Sequence, residues 1–289
     1  MTRKSDSLSI TVILGIMALG VFVWWQIIFA KPATKPKIDF LDVGQGDAEL
    51  LVLPGNVKIL TDAGPDQKIL RSLQKVLPSG DNYIDIGIVS HPQLDHFNGF
   101  NFLLDHYRFG ALIFNGRDDT KTVHEWPVLL DKIKSQNIPL ITLAAGDRIH
   151  YSNDEIDFLS PGQEFIQSGE LNDTGFVELI RTGDWRALLT ADIGFSVEDY
   201  LVKNRADIKS DILKVPHHGS KYSSGVNFLN AVRPRLAVIE VGERNRYGHP
   251  TKEALARLAS SGAKIFRTDQ NGNVEVFVEN SKLKVFTEK

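Results

Sequence analysis

Four apolar runs in this chain each lead, within a few residues, to histidine or aspartate, and no other feature restricts its fold as much. Run 84–90 leads into His91-Pro-Gln-Leu-Asp95-His96, run 186–190 into Asp192, and run 212–215 into Pro216-His217-His218-Gly219-Ser220. A fourth, 57–61, leads into Asp62. Short β-rich runs bounded by turn residues read as buried strands. Donors so far apart in the chain meet only if the strands share a sheet edge. Imidazole and carboxylate on rigid strand ends suit a borderline or hard divalent ion such as zinc or manganese. Asp62 reads either as a turn-capping residue or as a group that orients a ligand from behind.

Further strands are expected over 38–43, 49–53, 111–114, 140–143, 155–159, 177–181, 236–241, 264–267, 274–278 and 283–286. Helices are expected over 67–76, 98–107, 125–136, 196–203, 225–232 and 251–260, the last capped by Thr251 behind Pro250. No repeat, low-complexity tract or Pro/Ser linker divides 38–289, which reads as one domain of mixed α and β. With 42% hydrophobic residues, the 289-residue chain is far from the disordered class. The absence of cysteine excludes a disulfide framework, a thiolate nucleophile and an iron–sulfur cluster. His106, His124 and His150 sit in no such motif and read as surface or structural residues.

The stretch 8–30 is 23 residues without a charge, enough to span a hydrocarbon layer of roughly 30 Å. Trp24 and Trp25 lie near its end, where interfacial aromatics are expected. The run exceeds the ~7–15 residues of a signal-peptide core and no A-x-A-like site follows. An uncleaved single-pass membrane anchor is therefore expected, with a short tail at 1–7 and a stiff tether at 31–37. Arg3 and Lys4 before the span nearly balance Lys31, Lys35 and Lys37 after it, so charge alone does not orient it. The net charge of −3 hides a polarised chain. Residues 38–200 hold 12 Lys/Arg against 26 Asp/Glu, whereas 201–289 hold 16 against nine.

Taken in order, Phe40-Leu-Asp-Val-Gly-Gln-Gly-Asp47, Leu60-Thr-Asp-Ala-Gly64, Ser90-His-Pro-Gln-Leu-Asp-His96, Leu189-Thr-Ala-Asp192, Leu213-Lys-Val-Pro-His-His-Gly-Ser220 and Tyr247-Gly-His-Pro250 resemble a metallo-β-lactamase-fold hydrolase. The likeness is closest to the hydrolase domain of ComEC-type DNA-uptake proteins and covers nearly all of 38–289. It implies an α+β, four-layer αβ/βα sandwich with a metal site where the loops after the strands converge. It further implies phosphodiesterase action on nucleic acid, and an extracytoplasmic domain. Other members of the fold cleave lactones, thioesters and other phosphodiesters, so a non-nucleic ester substrate stays open. So does a degenerate domain that binds DNA without turnover.

Residue by residue, His91, Asp95 and His96 fall on the first, third and fourth ligand places of the H-x-H-x-D-H motif. Asp192 matches the aspartate that bridges two metals, with Ala191 in place of the usual glycine, and either His217 or His218 supplies the last ligand. Gln93 departs from the histidine or aspartate expected there. The third-motif histidine is missing, with Leu171-Asn-Asp-Thr174 in its region. One firm metal site (Asp95, His96, Asp192 and a histidine of the pair) is therefore expected. A marginal second one would hold His91 and Asp192, with weak help from Gln93, Asn172 or Asp173. Asp95 and Asp192 are the expected catalytic carboxylates. Substrate contacts are expected from Lys214, Ser220 and Lys221 and from Arg244, Arg246, Tyr247 and His249.

Overall fold

The computed structural model describes residues 12–24, 35–117, 123–167, 170–204 and 207–289. Residues 12–24 form a helix, α1, roughly 20 Å long at ~1.5 Å per residue, whose large apolar side chains are exposed. Among the described residues no helix is long and apolar enough to cross a membrane. Residues 8–11 and 25–30 of the expected span, with Trp25, lie outside the described residues, as do the tail 1–7 and positions 31–34 of the tether.

The remaining elements run β1 (Lys37–Phe40), β2 (Glu49–Leu53), β3 (Val57–Thr61), α2 (Lys68–Val76), β4 (Tyr83–Val89), α3 (Leu94–Leu103), β5 (Arg108–Phe114), α4 (Glu125–Ser135) and β6 (Leu140–Thr142). There follow β7 (Arg148–Tyr151), β8 (Asp154–Ser160), α5 (Gln163–Ile166), β9 (Val177–Arg181), β10 (Arg186–Leu189), α6 (Phe195–Asn204) and β11 (Ile212–Lys214). The series ends with α7 (Val226–Val232), β12 (Leu236–Ile239), α8 (Lys252–Ser260), β13 (Lys264–Arg267), α9 (Thr268–Asn271), β14 (Val274–Glu279) and β15 (Lys282–Thr287). Short 3₁₀ turns cover Asn172–Thr174 and Pro216–Gly219. Three elements are additions to the sequence reading: β7, mostly exposed, and the four-residue helices α5 and α9. Helix α3 also begins at Leu94, four residues ahead of expectation, so Asp95 and His96 lie in its first turn.

Two sheets carry the strands, in the orders β15-β14-β1-β2-β3-β4-β5-β6 and β13-β12-β11-β10-β9-β8-β7 among the described residues. Period-two alternation dictates how they pack. In β2, Leu51 and Leu53 face the second sheet while Leu50 and Val52 face helices. In β12, Leu236 and Val238 face the first sheet while Ala237 and Ile239 turn to the other side. One apolar cluster thus lies between the sheets. A second joins the first sheet to α2, α3 and α4 through Ile69, Phe97, Phe100 and Trp126. A third joins the second sheet to α6, α7 and α8 through Val197, Phe228 and Leu258. The result is the expected four-layer αβ/βα sandwich.

Strands β3 to β6 are mutually parallel, as are β10 to β13. Their carboxyl ends deliver Asp62, His91, Asp192, His218 and Glu240, the usual location of a site in a parallel sheet. Gly99 sets how closely α3 lies on the loop after β3. A Cβ there would stand 1.9 Å from the Ala63 carbonyl oxygen, a backbone atom that cannot swing away. The Gly99 amide instead donates to Gly64 O at 2.8 Å, and the Ala63 amide to His96 O at 2.7 Å. Gly99→Ala is expected to cost about 1–3 kcal/mol in chemical denaturation. An unchanged midpoint would show that the contact is compliant.

Candidate metal centre

Asp95, His96, Asp192 and His218 each offer one ligand atom, and all four atoms lie within 4.8 Å of one another. Each imidazole is aimed from behind. Asp62 Oδ2 accepts from His96 Nδ1 at 2.7 Å, and the Glu240 carbonyl accepts from His218 Nδ1 at 2.8 Å. Both imidazoles therefore turn Nε2 inward. His96 Nε2 lies 3.4 Å and His218 Nε2 3.5 Å from Asp192 Oδ2, and neither Nε2 has a hydrogen-bond partner among the described residues. Two buried lone-pair positions converging with two carboxylates, each imidazole fixed through its other nitrogen, are the donor set a divalent ion requires.

The electrostatics agree. Burial works against a charged imidazole, yet the carboxylates of Asp192, Asp62 and Asp47 raise His96 well above its ordinary range. Burial is likewise outweighed at His218, where Asp192, Asp47 and Asp95 raise it to about 10. Burial would raise Asp95, but contact with His218 and the charge of His96 lower it to about 2. Without an ion these carboxylates favour a proton on each ring, and an ion binding at Nε2 would displace it. Loading a divalent ion at pH 7 is expected to release about two protons. Calorimetry in buffers of different ionisation enthalpy reads that number, and zero release would mean the rings are neutral beforehand.

The sequence left His217 and His218 equivalent; the backbone separates them. Both adopt left-handed φ, 49° and 52°, in the 3₁₀ turn after β11, and only His218 points into the cluster. His217 is partly exposed, 3.9 Å from Asp192 Oδ2, with the Asn172 amide 3.4 Å from its ring nitrogens. His91 stays outside the cluster: its Nε2 lies 2.9 Å from Gln93 Oε1 and its Nδ1 3.0 Å from Ser90 Oγ. Burial and the neighbouring His96 lower His91 to about 4. Asp173 is also outside, its Oδ1 accepting from the Gly194 amide at 3.3 Å. Asp62 faces His96 Nδ1 and the Ser90 amide and hydroxyl, which is the orienting arrangement rather than a simple turn cap. Ala191 has φ 42°, a left-handed conformation that explains why glycine is usual at that place.

Two expected substrate contacts are corrected. Lys214 is completely buried rather than surface-exposed: its Nζ pairs with Asp47 Oδ2 and donates to Ala191 O at 2.8 Å. Ser220 is buried too, its amide donating to His217 O and its hydroxyl accepting from the Tyr222 amide. Lys221 remains exposed, with Nζ 4.9 Å over the Tyr222 ring. Arg244, Arg246 and Tyr247 line a cleft of about 740 Å³ that reaches Gln93 and Asp95. Arg246 lies 5.3 Å over the Tyr247 ring, and Tyr247 stacks at 15° on half-buried His249, whose ring is 5.7 Å from that of His217.

Sequence reasoning assigned no role to Asp47, Glu49 and Glu240, although all three are buried beside the centre with Lys214. Asp47 reaches it because Gly46, at φ 148°, lets its loop touch α3, where a Cβ would stand 2.2 Å from Asp95 O. The available signal was a charge at the end of an apolar strand: Glu49 opens β2 and Glu240 follows β12.

A family model described as the metallo-beta-lactamase superfamily matches residues 41–242. The chain is 27% identical over 265 residues to ComE operon protein 3 of Bacillus subtilis, covering 86% of this chain and 34% of that protein. It is 28% identical over 253 residues to competence protein ComA of Neisseria gonorrhoeae, covering 85% and 33%. The chain thus spans about a third of the length of these relatives. The crystal structure of the metallo-beta-lactamase fold protein YhfI from Bacillus subtilis superposes with a TM-score of 0.55 at 14% identity, covering 84% of this chain and 100% of that one. Sequence match, two-sheet architecture and the His/Asp cluster at the strand ends agree, and the chain belongs to the metallo-β-lactamase superfamily, whose members are typically metal-dependent hydrolases.

Proposed function

We propose that this protein is a metal-dependent phosphodiesterase acting on nucleic acid, anchored in a membrane by residues 8–30 with its hydrolase domain outside the cytoplasm. The observation that carries the reading is that Asp95 belongs both to the four-residue cluster and to the cleft lined by Lys68, Arg244, Arg246 and Tyr247. A cationic cleft that opens on a metal-type donor set suits a polyanion whose backbone is to be cut. The competence protein among the relatives supports the same substrate class.

When bound by Asp95, His96, Asp192 and His218, a divalent ion, zinc or manganese by its donors, supplies Lewis acidity and an acidified water. The chain's own residues do the rest. Asp62 and the Glu240 carbonyl hold the two imidazoles in the tautomer that keeps Nε2 available. Asp95, more open than its partners, accepts a hydrogen bond from the attacking water and so orients it for in-line attack on phosphorus. Arg244 and Arg246 grip the flanking phosphates while Tyr247, backed by His249, bounds the cleft. Because His91 and Gln93 are turned on each other, one ion is the working complement.

The test uses the full chain with Mn²⁺ or Zn²⁺ on single-stranded DNA, duplex DNA and bis(p-nitrophenyl) phosphate. Cleavage that Asp95→Ala removes is expected. Metal-loaded protein that leaves DNA intact overturns the reading, and turnover of lactones alone replaces it with a non-nucleic ester hydrolase. Protease added to intact cells is expected to digest the domain, and full protection would reverse its side.

A further inference from the structure

Outside the Arg246–Tyr247 cleft, the surface carries a second aromatic and cationic group. Phe195 opens α6 three residues after Asp192, and Tyr222 and Val226 lie beyond the His217–His218 turn; all three are exposed, Tyr222 by 63%. The Phe195 amide donates to Tyr222 O at 3.1 Å, which joins the two segments. Both rings carry a cation: Lys221 Nζ lies 4.9 Å over Tyr222 and Arg257 Cζ 5.6 Å over Phe195.

The loop that presents Tyr222 is locked from below. Arg257 donates to the carbonyls of Lys221, Ser223 and Ser224 at 3.0, 2.7 and 2.8 Å. Buried Glu198 accepts from the amides of Ser224 and Gly225, and Ser223 Oγ donates to Pro216 O at 2.8 Å. Such bracing preorganises an exposed aromatic, which costs little further entropy when a ligand stacks on it. The group is continuous with the centre. Gly194, next to Phe195, bonds to Asp173, and the neighbouring Asn172 touches His217 beside Asp192.

We propose that Phe195, Tyr222, Lys221 and Arg257 form a binding platform for unpaired bases of a single-stranded polynucleotide, continuing the strand path beyond the metal centre. The inference rests on the phosphodiesterase reading and names the strandedness of its substrate. Exposed π-faces with adjoining cations take unpaired bases and their phosphates, whereas duplex bases already have their faces covered. The platform shares no lining residue with the cleft containing Tyr247, so a strand that reaches both meets an aromatic and a cation in each.

Fluorescence anisotropy of the full chain without divalent ion, using labelled dT12 and a duplex of equal length, tests the proposal. Tighter binding of dT12 than of duplex is expected. Tyr222→Ala and Phe195→Ala should each weaken dT12 binding by about tenfold, while Tyr222→Phe, which keeps the ring, should retain it. Near-ultraviolet circular dichroism verifies that each variant is folded. Unchanged binding in both alanine variants, or equal loss in Tyr222→Phe, overturns the platform. Stacking-dependent binding by a protein that cleaves neither DNA nor bis(p-nitrophenyl) phosphate would sink the phosphodiesterase reading and leave the platform standing.

Discussion

Lys214→Met is expected to lower the unfolding free energy by about 3–5 kcal/mol at pH 7. The ammonium is sealed from solvent between Asp47, with which it pairs, and Asp192 Oδ1 at 3.9 Å, with Glu49 and Glu240 nearby. Burial would raise Asp47, but Lys214, His218 and His96 hold it below the ordinary carboxylate range. Burial would lower Lys214, but the same acids raise it. The signs define a window. A carboxylate with a lowered pKa stabilises above its unfolded value near ~3.9, and an amine with a raised one stabilises below ~10.4. The loss should therefore be full between about pH 4 and 10 and shrink as pH falls from the unfolded carboxylate value towards the lowered one of Asp47 in the wild type. Urea denaturation at pH 7 and pH 3.5 measures it, and Asp47→Asn added to Lys214→Met should recover much of the loss. A deficit under about 1 kcal/mol, the scale of an exposed pair, would mean that the acids are already protonated.

Asp192→Asn is expected to abolish tight metal binding, by at least about a hundredfold, and hydrolysis with it. Its Oδ2 faces both inward-turned imidazoles, and burial is outweighed by His218 and His96, which keep it well below the ordinary carboxylate range. The amide keeps the shape and removes the charge. His96 and His218 then lose the partner that most favours their protonation, so proton release on metal addition should fall as well. Competition against a chromogenic chelator reads the affinity. Retention of wild-type affinity would move the ligand set away from the four residues named here.

Much of this centre was legible because the relevant signal is one-dimensional. An apolar run followed by His or Asp places a donor at a strand end, and the structure brings Asp95, His96, Asp192 and one of His217/His218 into one cluster. What escaped depends on backbone direction or three-dimensional company. Two consecutive left-handed residues turn His218 inward and His217 outward, and spacing does not encode that choice. Lys214 ends an apolar three-residue strand, and its buried partner Asp47 is 167 positions away. Tyr222 drew no sequence signal, because the bracing of its loop by Arg257 and Glu198 comes from distant helices.

The strand order carries a consequence for how the protein is made. β1 lies between β2 and β14, and Lys37 pairs with Phe277 across almost the whole domain. During synthesis β1 must therefore wait, one edge open, until β14 has left the ribosome. The second sheet, β7 to β13, is complete before that moment. Asp62, Asp95 and His96 come from the early half, and Asp192 and His218 from the late one. Gathering the four donors thus requires the early and late halves to have closed on each other.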